Sequence, residues 1–229
     1  MLFNVLQKFP NDTGTIYQET IKGAGRLPVE PFNTFSNLIF IAILIFFIKR
    51  IYKRPKQHPF FLFAIPVIFI SWIGGTMYHG TRSHQIWLIL DGAPIMLVCL
   101  GGIIYFIGKI QRIWWKRILL FIGLMLVTIL PRLLAIPKGF RISFGYALTA
   151  ISVVTPFIWY AYLTQWKNIK YIILGFSIFA VAVTFRTLDN IIVLLPMGTH
   201  WLWHTFGGIA VFFLLLYIYK DKEVGTLDE

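Results

Sequence analysis

At 229 residues, 58% hydrophobic, 17% aromatic and only 13% charged, the chain is too apolar for an ordinary water-soluble domain. The formal net charge of +12 would suit a nucleic-acid partner, but the cations cluster between apolar runs, where they record membrane topology instead. The single cysteine, Cys99, excludes intramolecular disulfides.

A helix needs roughly 20 apolar residues to cross a bilayer. Seven such runs are readable, at 33–50, 60–79, 86–107, 118–136, 143–164, 171–188 and 200–219. The expectation is an all-α, seven-transmembrane helix bundle forming one domain over 1–229. Residues 1–32 form an extracytoplasmic N-terminal segment and 220–229 a cytoplasmic tail. The start, Met1 to Lys8, lacks a charged region followed by a long apolar stretch, so no cleavable signal peptide is expected.

The first span opens with Glu30-Pro-Phe-Asn-Thr-Phe-Ser-Asn37. Pro31 suits a first helical turn, and Glu30 suits the positive end of the helix dipole. Asn33, Ser36 and Asn37 place polar groups in the first two turns. The second span ends in Tyr78-His-Gly-Thr81, which puts His79 at its end, and the third carries Asp91 a turn or two inside. The fourth and fifth spans bring no chemistry. Pro131, Arg132, Lys138 and Arg141 between them read as a basic rim snorkelling to headgroups. The sixth ends in Arg186-Thr-Leu-Asp-Asn190, where Arg186 and Asp189 have the spacing of a local ion pair. The seventh opens with Gly198-Thr-His-Trp-Leu-Trp-His204, so His200 and His204 share one helix face.

Thirteen cations fall on one side of these spans and eight on the other. The positive-inside rule then puts the N-terminus outside and the C-terminus in the cytoplasm. Trp87, Trp201 and Trp203 near outer ends, and Trp114, Trp115 and Trp166 near inner ends, fit interfacial belts. On this count His79, His200 and His204 lie at the same outer level, together with Asp91 and the polar turn after Glu30. Taken singly, each histidine reads equally well as an interhelical hydrogen-bonding residue. Together they are the ligand set of a zinc ion that keeps one position open. His58 and His84 read as bystanders.

The order and spacing of these motifs resemble the alkaline ceramidase family, within the CREST group of seven-span membrane hydrolases that includes the adiponectin receptors. The resemblance covers nearly the whole chain. It rests on Glu30-Pro-Phe-Asn-Thr-Phe-Ser-Asn37, on Gly74-Gly-Thr-Met-Tyr-His-Gly-Thr81 followed by Leu90-Asp-Gly-Ala-Pro-Ile-Met96, and on His200-Trp-Leu-Trp-His204. It implies zinc held by His79, His200 and His204, with Asp91 engaging the activated water. Two departures stand out. A family serine is replaced by Gly75, with Thr76 beside it. Of the family's acidic N-terminal calcium loop only Tyr17-Gln-Glu19 and Glu30 find a match, with Lys22 and Arg26 intruding, so no calcium site is expected. The short N-terminal segment with Gly23 and Gly25 resembles the bacterial branch.

The resulting expectation is a zinc-dependent lipid amidohydrolase of a bacterial inner membrane, acting toward the extracytoplasmic side on a ceramide-like amide. Asp91 is the general acid–base, Thr76 assists the oxyanion, and Ser36 with Asn33 orients Asp91 or a histidine. No nucleic acid or obligate protein partner is expected. The alternative is a lipid-responsive receptor or scaffold with a structural zinc. A retinal protein is set aside because the seventh span has no lysine before Lys220. An ion pathway would need polar groups at all depths, whereas the inner halves of the spans are almost wholly apolar.

Overall fold

The computed structural model describes residues 9–23, 25–133, 138–189 and 194–221, and the side chains within these except at 130–147, 149 and 150. The expected basic rim of Arg132, Lys138 and Arg141, and the tail beyond Asp221, lie outside the described residues and side chains. Among the described residues there are nine α-helices and no strand. They are α1 (Gln18–Gly23), α2 (Pro31–Ser36), α3 (Leu38–Ile51), α4 (Pro59–Thr81), α5 (Gln85–Ile110), α6 (Trp114–Leu133), α7 (Lys138–Leu163), α8 (Ile169–Leu188) and α9 (His200–Lys220).

The long helices stand where the seven apolar runs predict them, with α2 and α3 joined through Asn37. Among the described residues, five stretches are long and apolar enough to cross a membrane: Pro31–Ile51, α4, α5, α8 and α9. Within the described part of α7, Ile151–Leu163 is apolar. These lengths and compositions mark a multi-pass membrane protein. The outward faces agree, since Ile45, Leu62, Phe69, Ile70, Leu97 and Ile173 are all exposed, as lipid-facing side chains must be.

The chain divides into two compact units. The first comprises Met1–Leu97 and Lys170–Lys220, and it contains every candidate site residue. Rings hold α3, α4 and α9 together at the end far from His79. Phe47 packs on Phe61 at 4.9 Å, Phe46 on Phe212 at 4.9 Å, and His58 stacks on Tyr219 at 5.1 Å. Such aromatic pairs each add about 0.5–1.5 kcal/mol beyond area burial. Small residues allow close approach elsewhere. A Cβ on Gly74 would sit 2.3 Å from the Leu90 carbonyl carbon, so α4 and α5 run nearly backbone to backbone there. The Ser71 hydroxyl donates to the Asp91 carbonyl at 2.6 Å and fixes the register of that crossing.

The second unit comprises Val98–Ile169 and Asp221–Glu229. Phe106 packs on Phe157 at 4.4 Å, and the Ser152 hydroxyl donates to the Leu124 carbonyl at 3.0 Å, joining α7 to α6. Buried Asp221 accepts hydrogen bonds from the Tyr105 and Tyr160 hydroxyls and pairs with Lys109 at 3.0 Å.

Candidate metal centre

Helix α9 begins at His200 because its free amides are met there. Asp189 Oδ1 accepts the N–H groups of Thr199 at 2.5 Å and of His200 at 3.0 Å, which satisfies donors that every helix start leaves open. Gly198 makes the turn possible. Its φ is +77°, and any Cβ there would lie 2.3 Å from Asp189 Oδ1. The Thr199 hydroxyl donates to the Phe185 carbonyl at 2.7 Å, tying the start of α9 to α8. Asp189 is therefore a helix cap and not the ion-pair partner of Arg186 that the spacing predicts. Arg186 is exposed and lies 5.0 Å from the Trp203 ring.

With α9 so placed, the His200 and His204 rings stand one turn apart on one face, their centroids 4.8 Å apart. His79, near the end of α4, brings the third ring to 5.2 Å from His200 and 4.8 Å from His204. All three are buried, and one ring nitrogen of each lies within 4.8 Å of the others. No fourth His, Cys, Asp or Glu joins this group among the described residues.

Hydrogen bonding fixes the orientation of the rings. His79 Nδ1 lies 2.5 Å from Glu30 Oε2. A carboxylate only accepts, so Nδ1 carries the proton and Nε2 presents a lone pair. That lone pair faces His204 Nε2 at 3.1 Å, and buried His200 Nδ1 has no hydrogen-bond partner. Convergent, desolvated ring nitrogens of this kind suit a cation between them. A tetrahedral zinc with bonds of about 2.0–2.1 Å sets its nitrogens roughly 3.3 Å apart, close to the observed 3.1 Å pair. The carboxylate behind His79 is the usual outer partner of a metal-binding imidazole. The donor set fits a divalent metal ion.

Glu30 is the hub behind the histidines. It also accepts from Asn33 Nδ2 at 3.0 Å and from the Thr20 hydroxyl, and its Oε1 lies 3.3 Å from Arg82 Nη1. Burial alone would raise its carboxyl pKa, but His79 and Arg82 outweigh burial and hold it below the usual range. The helix-start role expected of Glu30 belongs to Glu19, whose two oxygens accept the Phe32 and Asn33 amides at 2.6 and 3.0 Å. Both acids are thus engaged by internal donors. Arg82 pairs through Nε with Asp12 at 2.6 Å. Tyr17 covers the site, stacked on His200 at 3.8 Å and 21°. Burial, reinforced by Glu30, pushes its phenol pKa well above the usual range and keeps it protonated.

The remaining sequence candidates fall at different distances from this cluster. Asp91 lies against α4 at Gly75, one turn before His79. A Cβ at Gly75 would stand 2.5 Å from Asp91 Oδ1 and 3.1 Å from Asn37 Oδ1. The absent side chain is therefore the space that Asp91 and Asn37 occupy. Thr76 Oγ1 is buried without a hydrogen-bond partner. Ser36 donates to the Asn33 carbonyl at 2.9 Å, so its hydroxyl serves the α2 turn. Asn33 acts through Glu30, and Asn37 stands closer to Asp91 than the sequence suggests.

Residues not singled out by sequence are Asp12, Thr20 and Arg82, together with the stacking of Tyr17 on His200 and the true partners of Glu19, Glu30 and Asp189. No protein-family model and no curated protein matches the chain, so the functional reading rests on the chemistry of this site.

Proposed function

We propose that the chain is a zinc-dependent membrane hydrolase that cleaves the amide bond of a ceramide-like lipid, with its site toward the extracytoplasmic side of a seven-span bundle. One observation carries the reading: the His79 Nε2 lone pair, its tautomer set by Glu30, faces His204 Nε2 at 3.1 Å with His200 alongside. Zinc bound by three imidazoles supplies an activated water at neutral pH and a Lewis acid for a carbonyl.

The chain's own residues supply the rest. Asp91, beside Gly75 on the face of α4 that carries His79, accepts the proton of the attacking water and returns it to the leaving amine. Thr76 Oγ1, a buried hydroxyl with no partner, donates to the developing oxyanion. Glu30 holds the His79 tautomer, and Asn33 and Ser36 hold the turn that carries Glu30. Exposed Phe32, Phe35 and Leu38 surround the start of the first span with apolar surface for an acyl chain. The thirteen-to-eight distribution of cations supports the orientation.

Deep burial of all three histidines also suits a structural zinc in a receptor or scaffold. That reading calls for a fourth protein ligand, and only three residues converge among the described ones.

The test is metal analysis of purified protein followed by hydrolysis of long-chain lipid amides. About one zinc per chain is expected, lost from a His79→Ala, His200→Ala, His204→Ala variant. Asp91→Asn should keep zinc and lose turnover by about 10²–10⁴. Zinc without hydrolysis in the parent would favour the structural reading. Zinc retained stoichiometrically by the triple variant would remove the metal centre altogether.

A further inference from the structure

We infer that Arg82 is a positioning residue of the metal centre, one guanidinium that acts on His79 through Glu30 and on His200 through the segment that carries Tyr17. The inference rests on reading the three histidines as metal ligands. Toward His79 the link is Glu30: Arg82 Nη1 lies 3.3 Å from Oε1, which leaves Oε2 for His79 Nδ1. Toward His200 the link is the N-terminal segment. The same Nη1 donates to the Thr15 carbonyl at 3.0 Å, two residues before the Tyr17 ring that stacks on His200 at 3.8 Å. Nε makes an ion-pair contact with Asp12 Oδ2 at 2.6 Å, while Asp12 Oδ1 accepts the Gly14 amide at 2.8 Å and so shapes the approach to Tyr17.

The placement of Arg82 runs against its ordinary preferences. It ends α4 in the left-handed region, with φ at 50°, where glycine is usual. An arginine at the end of a membrane helix normally reaches outward to headgroups, yet this side chain is 0% exposed and crosses the Tyr78 ring at 4.5 Å. The turn aims the side chain back into the first unit, between two buried carboxylates. A planar fork can meet both carboxylates and a carbonyl at once, which a lysine ammonium cannot do with the same geometry.

The full-length protein in detergent micelles decides the matter without an activity assay. Zinc affinity is measured by competition with a chromogenic chelator, and the site's geometry is read from the visible d–d bands of bound Co²⁺. Arg82→Gln should bind zinc roughly 10–100-fold more weakly, the usual effect of losing an outer partner, with altered Co²⁺ bands. Arg82→Lys should recover part of that affinity, because it keeps the charge and loses the fork. A folded Arg82→Gln protein with parental affinity and spectrum would overturn the inference. Should that variant not fold, Asp12→Asn releases one arm and keeps the cation. Weakened zinc binding there supports the inference, and parental binding in both Asp12→Asn and Arg82→Lys overturns it. A parent protein that takes up neither ion refutes the metal reading itself, and the inference falls with it.

Discussion

Glu30→Gln removes one charge and almost no volume, and its consequences can be worked from the contacts of the carboxylate. Four groups face it: His79 Nδ1 at 2.5 Å, Asn33 Nδ2 at 3.0 Å, Arg82 Nη1 at 3.3 Å and the Thr20 hydroxyl. All four act as donors, because the Thr20 oxygen already accepts the Tyr17 amide at 3.0 Å. A glutamine offers one acceptor oxygen and an NH₂ group that can only donate, so at least one donor is left facing another. Hydrogen bonds to charged groups contribute about 1.5–3 kcal/mol each. Stripping one member from a buried ion pair costs about 3–5 kcal/mol. Arg82 keeps Asp12 at 2.6 Å, so the lower end applies, about 3 kcal/mol. Loss of the partner behind His79 should also weaken zinc binding roughly 10–100-fold. The assays are unfolding in a graded detergent mixture followed by circular dichroism, and zinc competition on the folded protein. A Gln variant with parental stability and zinc affinity would show that Glu30 neither anchors His79 nor balances Arg82.

Three further outcomes follow from single contacts. Gly198→Ala should destabilise the protein by about 2 kcal/mol, adding the loss of a cap to the strain of a left-handed alanine; thermal unfolding reads it, and an unchanged midpoint would refute the Asp189 cap. Gly75→Ser should keep zinc yet lower lipid-amide turnover, because its Cβ would stand 2.5 Å from Asp91 Oδ1 and displace the acid; unaltered turnover would remove Asp91 from the reaction. In a Cys99→Ser background, Ser83→Cys should react with an impermeant thiol reagent in intact cells and Lys56→Cys should not, both positions being exposed; the opposite pattern would invert the orientation.

The parts of the fold legible in the sequence depend on long, redundant signals. Apolar runs broken by charged loops placed the helices within a few residues, and helical periodicity alone put His200 and His204 on one face. The even number of expected spans between His79 and His200 put them on one side, and in the structure their rings lie 5.2 Å apart. What could not be read are contacts in which one side chain reaches across helices. Arg186 and Asp189 have ion-pair spacing, but the amides of Thr199 and His200 need an acceptor in a buried place, whereas Arg186 has an exposed position and the Trp203 ring. Glu30 sits where a dipole-capping acid belongs, yet Glu19 from α1 takes the amides, and Glu30 is freed to turn toward His79. Arg82 follows a span, and by sequence it is only one of the eight cations counted on the outer side. Only the left-handed turn at the end of α4 shows that it points inward. Gly75 read as a missing group, and it proves to be the space that Asp91 and Asn37 fill.

Charge accounts for why these acids tolerate burial. Glu19 and Asp189 each face the start of a helix, whose amides carry about half a positive charge, and neither needs a cation. Asp12 and Glu30 together carry two negative charges against the single positive charge of Arg82. The base role proposed for Asp91 would add a third carboxylate at this end of the first unit. Unpaired buried charge is among the most costly arrangements a protein can hold. A divalent ion at the three imidazoles would offset this excess of negative charge more fully than a monovalent cation would. The same balance makes the metal and the acids interdependent. Without a metal, the acids would repel one another with Arg82 as the cation between Asp12 and Glu30.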